Sequence, residues 1–382
     1  MGQIDSGGRD LDLYFREFAA GVCRGSSPLY DQIATEAAGD PEILAIAANT
    51  RRGQPTNLFF AAVHYLLLKG IDHRLASHYA SVSNERRLGV AKSDVPITST
   101  DAYQDFRSFC LDHRDQIIQL ISTRVVQTNE VARYACMLPA FLRAAARAEP
   151  QPIALIEIGA SAGLGMIWDR YYYQYRVVEK AGNREAPPAN SADKPARPEW
   201  GDADSRVKID TEVRGNWAPC NYQGLTIATR TGVDLFPVDI GDPDRVLWLR
   251  SFIFPEQTDR DERLQSAVGL ALRCGVPGKV ARGDAVDLIP GLLDAVPEDE
   301  VPCVFNSFAL SQISPERRRL LLEAIAKRGR QRKLVHVSLE WLDGPSPLLN
   351  FSEYGGSSAV PEARTMARCD PHGRWIEPLT TV

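Results

Sequence analysis

Five residues in one short stretch could do chemistry together. Glu157, Gly159, Ser161, Gly163 and Gly165 fall within the run IALIEIGASAGLGMIW, residues 153–168. A carboxylate at the end of an apolar run can accept hydrogen bonds from ribose hydroxyls or an amino group. The small residues behind it let backbone approach a bound nucleotide closely. If a helix follows, its first N–H groups are available to the ligand. The competing reading is a strand-to-helix turn whose small residues serve only close packing.

Other polar groups gather around this stretch in the sequence. Gln127, Asn129, Glu130 and Arg133 crowd into VQTNEVARYA, which opens a helix that then turns apolar at Met137, Leu138, Phe141 and Leu142. They read either as a capped helix start with a solvated face or as groups facing a substrate. Downstream, WDRYYYQY supplies Asp169 and Tyr171, either as candidate bases or as packing and hydrogen-bonding groups. Three more candidates end short apolar runs: Asp284 in Gly283-Asp284-Ala285, Asn306 after Val301–Phe305, and Glu340 after LVHVSL.

The elements needed to position these groups follow from periodicity. Residues 10–150 read as mostly helical, with Leu11–Val22 at helical spacing and Asp40-Pro41-Glu42 as a capped helix start. Leu58–Leu68 is apolar nearly all round, which predicts a buried helix with His64 as a core histidine. Asp101–Arg124 reads as amphipathic helix. Ile153–Ile156 reads as a buried strand. The segment 181–200, rich in Pro, Ala and charge, reads as a loop. Val207–Val213 and Leu225–Thr229 read as a hairpin-like insertion. From there strands and helices alternate, which predicts a parallel sheet with helices on both faces. The expected organisation is a helical domain over 1–150, acting as a lid, and a Rossmann-like domain over 151–382 with an insertion at about 176–240. In such a sheet ligands sit at the carboxyl ends of the strands. Glu157, Asp284, Asn306 and Glu340 would share that rim.

Composition narrows the function classes. The chain has 382 residues, a formal net charge of -5, 44% hydrophobic and 24% charged residues. Its acidic balance gives no support to nonspecific nucleic-acid binding, which needs a basic field. No apolar run could span a bilayer, and MGQIDSGGRD lacks the features of a signal peptide. Met1-Gly2 with Ser6 fits a loose myristoylation pattern without a basic cluster behind it. Seven cysteines form no Cys-x-x-Cys pair and six histidines do not cluster. These features predict free thiols in the cytoplasm and no metal site.

Taken together, the runs VQTNEVARYA, LIEIGASAGLGMIWDRYYYQY, RTGVDLFPVD, FPEQTDRDERL and GDAVDLI resemble a bacterial family, the domain of unknown function 2332, over most of the chain. The C-terminal half resembles class I S-adenosylmethionine (SAM) methyltransferases, with Ser161 standing where their turn usually has a middle glycine. That resemblance implies a SAM-type fold and cofactor, with Glu157, Gly159, Ser161 and Gly163 on the methionine and ribose, and Asp284 with Ala285 at the adenine. It implies that Asn306 faces the transferred methyl, that Glu256, following a second strand at Val246–Phe254, or Asp239 holds the ribose, and that Gln127, Asn129, Glu130 and Arg133 bind a small-molecule acceptor. Glu340, Asp169 and Tyr171 are the base candidates. The same glycines also resemble the turn of short-chain dehydrogenases, which normally sits near the N-terminus, whereas this one follows a long upstream segment. Two further alternatives stay open: a protein that binds the ligand without turnover, and a different reaction on the same scaffold. For the latter, Arg230, Asp234, Asp239, Arg260 and Arg263 would suit an anionic or zwitterionic substrate.

Overall fold

A computed structural model describes residues 11–51, 54–86, 102–178, 198–215, 224–342, 344–355 and 362–379. Met1-Gly2, Ser6 and most of the 181–200 segment lie outside the described residues. Two compact units are present, each assembled from two stretches of chain. One takes Asn129–Gly241 and Gln265–Val382; the other takes the described residues up to Thr128 together with Asp242–Leu264.

The second unit is helical. Its helices span Leu11–Phe18, Pro28–Ala37, Pro41–Ala47, Pro55–Leu68, Ala102–Asp112, Arg114–Thr123 and Pro243–Arg250, among others. Asp40 caps its helix by accepting from Glu42 N and Ile43 N, with Pro41 in the first turn. Phe15, Phe59, Phe60, Phe106 and Trp248 close the core. Burying each such ring contributes about 2 kcal/mol or more. His64 is the core histidine expected: Nε2 meets Ser81 Oγ at 2.8 Å and Nδ1 meets Ser251 O at 3.1 Å. Burial pulls its pKa down to about 4, so the imidazole is neutral.

Two expectations fail here. Val246–Phe254 is not a strand: Asp242 caps a helix over Pro243–Arg250 by accepting from Asp244 N, with Pro243 in the first turn. Glu256 therefore ends no strand. It accepts from Ser27 Oγ and Leu29 N and so staples the start of the Pro28–Ala37 helix.

The first unit carries an 11-stranded sheet. Its strands are β1 (Ile153–Ile158), β2 (Tyr172–Val178), β3 (Glu199–Gly201), β4 (Lys208–Arg214), β5 (Ile227–Asp234), β6 (Val280–Arg282), β7 (Val301–Ser307), β8 (Leu334–Glu340), β9 (Leu348–Tyr354), β10 (Glu362–Cys369) and β11 (Trp375–Pro378). Their order is β3-β2-β4-β11-β10-β9-β8-β7-β1-β5-β6. The run β6-β5-β1-β7-β8 is parallel throughout. Every residue of β1, β7 and β8 is buried except Ser307. That fits strands covered on both faces, which carry continuous rather than alternating apolar residues.

The expected hairpin does not form. β4 pairs with β2 and β11, whereas β5 lies between β1 and β6. Val207–Val213 and Leu225–Thr229 carry β-type residues, but nothing local fixes which strand each one meets. The element after the glycine turn also differs. Leu164–Arg170 is a short 3-10 segment with Ile167 out of helical geometry, not an α-helix. No helix among the described residues is long and apolar enough to cross a membrane.

Candidate functional site

Chain order gives the parallel run a reversal point. β5 and β6 extend from one side of β1, and β7 and β8 from the other. The crevice beyond the carboxyl ends of β1 and β7 is where such sheets take ligands. Two residues there are held in unusual backbone geometry. Ser161, three residues past β1, has φ of 50°, and Phe308, the first residue past β7, has φ of 55°. They are the two non-glycine residues with positive φ among those described. Left-handed geometry costs such residues about 1–2 kcal/mol, and it concentrates at functional sites.

Glu157 stands beneath this turn, 2% exposed. Its Oε1 accepts from Tyr134 Oη at 2.8 Å. Its Oε2 is buried and has no partner among the described residues. Burial pushes its pKa up to about 8, against the Tyr134 hydrogen bond and with help from the charge of Asp234. Gly165 is required here, because a Cβ would overlap both Tyr134 Oη and Glu157 Oε1. Ser161 Oγ, in the turn itself, is likewise buried with no partner among the described residues. The Ser161 N–H donates to Asp234 Oδ2 at 2.8 Å, and its carbonyl accepts from Val238 N at 3.0 Å. Asp234 Oδ1 also accepts from Phe236 N. Asp234 is thus the acid that ends the strand next to β1. Asp239 lies past it and caps its own turn at Gly241 N.

The glycines of the turn face protein. A Cβ on Gly159, whose φ is 72°, would sit 2.5 Å from Ala309 Cβ. A Cβ on Gly163 would meet Met166 and Val276 at 2.8 Å. Gly159 lets the turn after β1 pack against the segment after β7, and Gly163 lets it pack against Val276, ahead of β6.

The upstream polar cluster divides. Asn129 Nδ2 reaches Ala160 O at 3.5 Å, in the turn itself. Arg133 donates to Ser307 Oγ at 2.9 Å and to Pro371 O at 3.0 Å, and its guanidinium lies 4.2 Å over the Phe308 ring. Glu130 caps the Val131–Arg133 turn through Ala132 N and meets His372 Nδ1 at 3.2 Å. Gln127 is half-buried and belongs to the helical unit.

The base candidates are engaged elsewhere. Glu340 Oε1 accepts from Asn306 Nδ2, Ala309 N and Leu310 N, and its Oε2 from Ser311 N. Asn306 also donates to Ser338 Oγ and meets His336 through Oδ1. Asp169 pairs with Arg230 through both oxygens at 2.6 and 2.8 Å. Tyr171 Oη donates to Leu164 O. Asp284 caps the helix Ala285–Asp294 at Val286 N and pairs with Arg317 at 2.8 Å. Ala285, the first residue of that helix, packs into the apolar core. Of the Arg and acid set, Arg230, Asp234 and Asp239 belong to the sheet unit, whereas Arg260 and Arg263 belong to the helical one.

A family model described as an uncharacterized protein conserved in bacteria, the domain of unknown function 2332, matches residues 13–377. The chain belongs to that family. No curated protein and no solved structure matches it. Within this family member, sequence reasoning missed Tyr134 and Phe308, and placed Asp234 only in the Arg and acid set rather than as the acid of the strand next to β1. Tyr134 and Asp234 stand inside the runs VQTNEVARYA and RTGVDLFPVD, so the signal was proximity. Phe308 had none, because its backbone angle is set by the loop it enters.

Proposed function

We propose that the sheet unit is a SAM-dependent methyltransferase acting on a small molecule, with the cofactor at the carboxyl ends of β1 and β5. One observation carries this reading. Glu157 Oε2 and Ser161 Oγ are buried oxygens without partners among the described residues, beside a strained turn at the reversal point of the sheet. Leaving two such groups unpaired costs about 1–3 kcal/mol each, which a ligand with matching donors would recover. Glu157 is suited to a cationic amino group, Ser161 to a carboxylate or hydroxyl. Asp234 has lone pairs left for a ribose hydroxyl. SAM, when bound, supplies an electrophilic methyl on a sulfonium. The chain's own task is then to hold the acceptor in line and keep water out.

Binding without turnover is the second reading. It is favoured by the engagement of Glu340, Asp169 and Tyr171, which leaves none of the three suited to act as base. An acceptor already deprotonated needs no base, so product analysis separates the two.

Calorimetric titration with SAM, with NAD and NADP as controls, tests the site. We expect micromolar SAM binding and at least a tenfold loss in Glu157→Gln, about 1.4 kcal/mol. Glu157→Gln keeps the shape of the side chain, whereas a larger residue at Gly159 would collide with Ala309. A folded wild-type protein that ignores SAM would sink the proposal, and dinucleotide binding in its place would make the turn a dehydrogenase-type site.

A further inference from the structure

The sheet unit has a second opening, away from the crevice at the carboxyl ends of its strands. A cavity of about 440 Å³ is lined by Asp169, Arg170, Trp200, Asp202, Ile227 and Arg230, among others. That volume is ordinary for a small-molecule pocket. Ile227 opens β5 and Arg230 follows three residues on, whereas Asp234 ends the strand. At about 3.3 Å per residue, this part of β5 lies roughly 13–23 Å from Asp234. The cavity is therefore separate from the site at Glu157 and Ser161.

Its charges are unevenly matched. Arg230 takes both oxygens of Asp169, at 2.6 and 2.8 Å. Arg170 reaches the same carboxylate through Nε at 3.3 Å, and its side chain is 60% exposed. One carboxylate thus faces two guanidiniums, and Arg170 keeps charge to spare. Asp202 is exposed; its Oδ1 accepts from Asp204 N, and it has no ion pair among the described residues. The four charges of the lining sum to zero, yet Arg170 and Asp202 do not pair with each other. A ligand that answers both carries both signs.

The backbone sets these two residues side by side. β2 and β3 are antiparallel, with Tyr172 opposite Gly201 and Tyr173 opposite Trp200. Buried Ser205 ties the ends together: its Oγ donates to Arg170 O at 2.8 Å, and its N–H to Asp202 O at 2.9 Å. Trp200 and Asp202 stand two residues apart and both line the cavity, so indole and carboxylate share a face. Trp168 and Tyr173 back the Trp200 ring, with centroids at 5.7 and 6.0 Å.

We propose that this pocket binds a free aromatic α-amino acid, its carboxylate at Arg170, its ammonium at Asp202 and its ring against Trp200 and Ile227. Arg170 supplies the planar donor that a carboxylate fits. The assignment does not depend on the methyltransferase reading.

Calorimetric titration of the full chain tests it with four probes. L-Tryptophan carries the ring and both charges. Indole-3-propionate lacks the ammonium, tryptamine lacks the carboxylate, and L-alanine lacks the ring. Wild-type protein should bind tryptophan about fivefold more tightly than either singly charged analogue, the upper end for a solvent-facing ion pair. Alanine should bind at least about tenfold more weakly than tryptophan. Arg170→Gln should bring tryptophan down to the level of tryptamine without weakening tryptamine. Asp202→Asn should bring it down to the level of indole-3-propionate without weakening that acid. Both positions are exposed, and circular dichroism should stay native. Glu157→Gln, which disables the crevice, should leave tryptophan binding unchanged. No tryptophan binding, equal binding of either singly charged analogue or of alanine, or indifference to either pocket substitution would overturn the assignment. So would loss of tryptophan binding in Glu157→Gln, which would put the ligand in the crevice. SAM titration is read separately, and its failure alters none of these outcomes.

Discussion

Glu157 makes a claim at the scale of one residue. Its pKa is raised to about 8 in the folded chain, from an ordinary value near 4.5, mainly by burial. A carboxyl raised in this way favours the folded state fully below about pH 4.5. That contribution is lost as pH climbs through 8, because the unfolded chain releases the proton first. Glu157→Gln cannot ionise. Its melting temperature should therefore fall less than that of the wild type between pH 5 and 9, and exceed it at pH 9. Thermal unfolding across that range checks this, and parallel curves would mean that Glu157 is charged when folded. The same residue shows what was legible. The acid, the small residues behind it and their place at a strand end could all be read from IALIEIGASAGLGMIW. Tyr134 as its partner, and Asp234 as the acid of the next strand, depended on contacts made across 23 and 73 positions of chain, the latter to Ser161. No local pattern encodes those.

At the scale of elements, the strands of the parallel run were readable where they were continuous and apolar. β1, β7 and β8 stood out for that reason. Which strand pairs with which was not readable, so β4 and β5 were assigned to one hairpin. The helix over Pro243–Arg250 is a different kind of miss. Asp242-Pro243-Asp244 repeats the capped start that correctly marked the helix after Asp40, but the apolar residues behind it suggested a strand. Local chemistry was the better guide there. Glu340 likewise belongs to this scale, because it ties the end of β8 to the segment after β7 through three backbone N–H groups. Glu340→Ala would leave those donors unpaired and take one acceptor from Asn306 Nδ2. It should cost about 3 kcal/mol or more in chemical denaturation. A small loss of stability together with a large loss of turnover would instead make Glu340 the base.

For the whole molecule, the decisive fact is that neither unit is one continuous stretch. The helical unit takes Trp248, Phe252 and Phe254 into its core from the second stretch, along with the Ser251 carbonyl that holds His64. Arg250 and Asp261 form a buried pair within that stretch. A fragment ending at residue 128 should therefore remain largely unfolded by circular dichroism. Adding a peptide of residues 242–264 should restore helix and a cooperative melt. A fragment that melts cooperatively alone would show that the later stretch is decoration. The sequence suggested a helical domain over residues 1–150. The return of residues 242–264 to it was hidden, since nothing in the sequence of a helix states which core it will join.

The position of β1 bears on how the chain is made. Its neighbours are β5, at 227–234, and β7, at 301–307. On a ribosome adding roughly 5–20 residues per second, β1 emerges roughly 7 to 30 s before the first residue of β7. Through that interval IALIEI, buried in the finished protein, has at least one open edge, which is the form of a strand most ready to pair with a wrong partner. Nascent chains halted before residue 301 thus carry an apolar strand whose β7 edge has no partner yet.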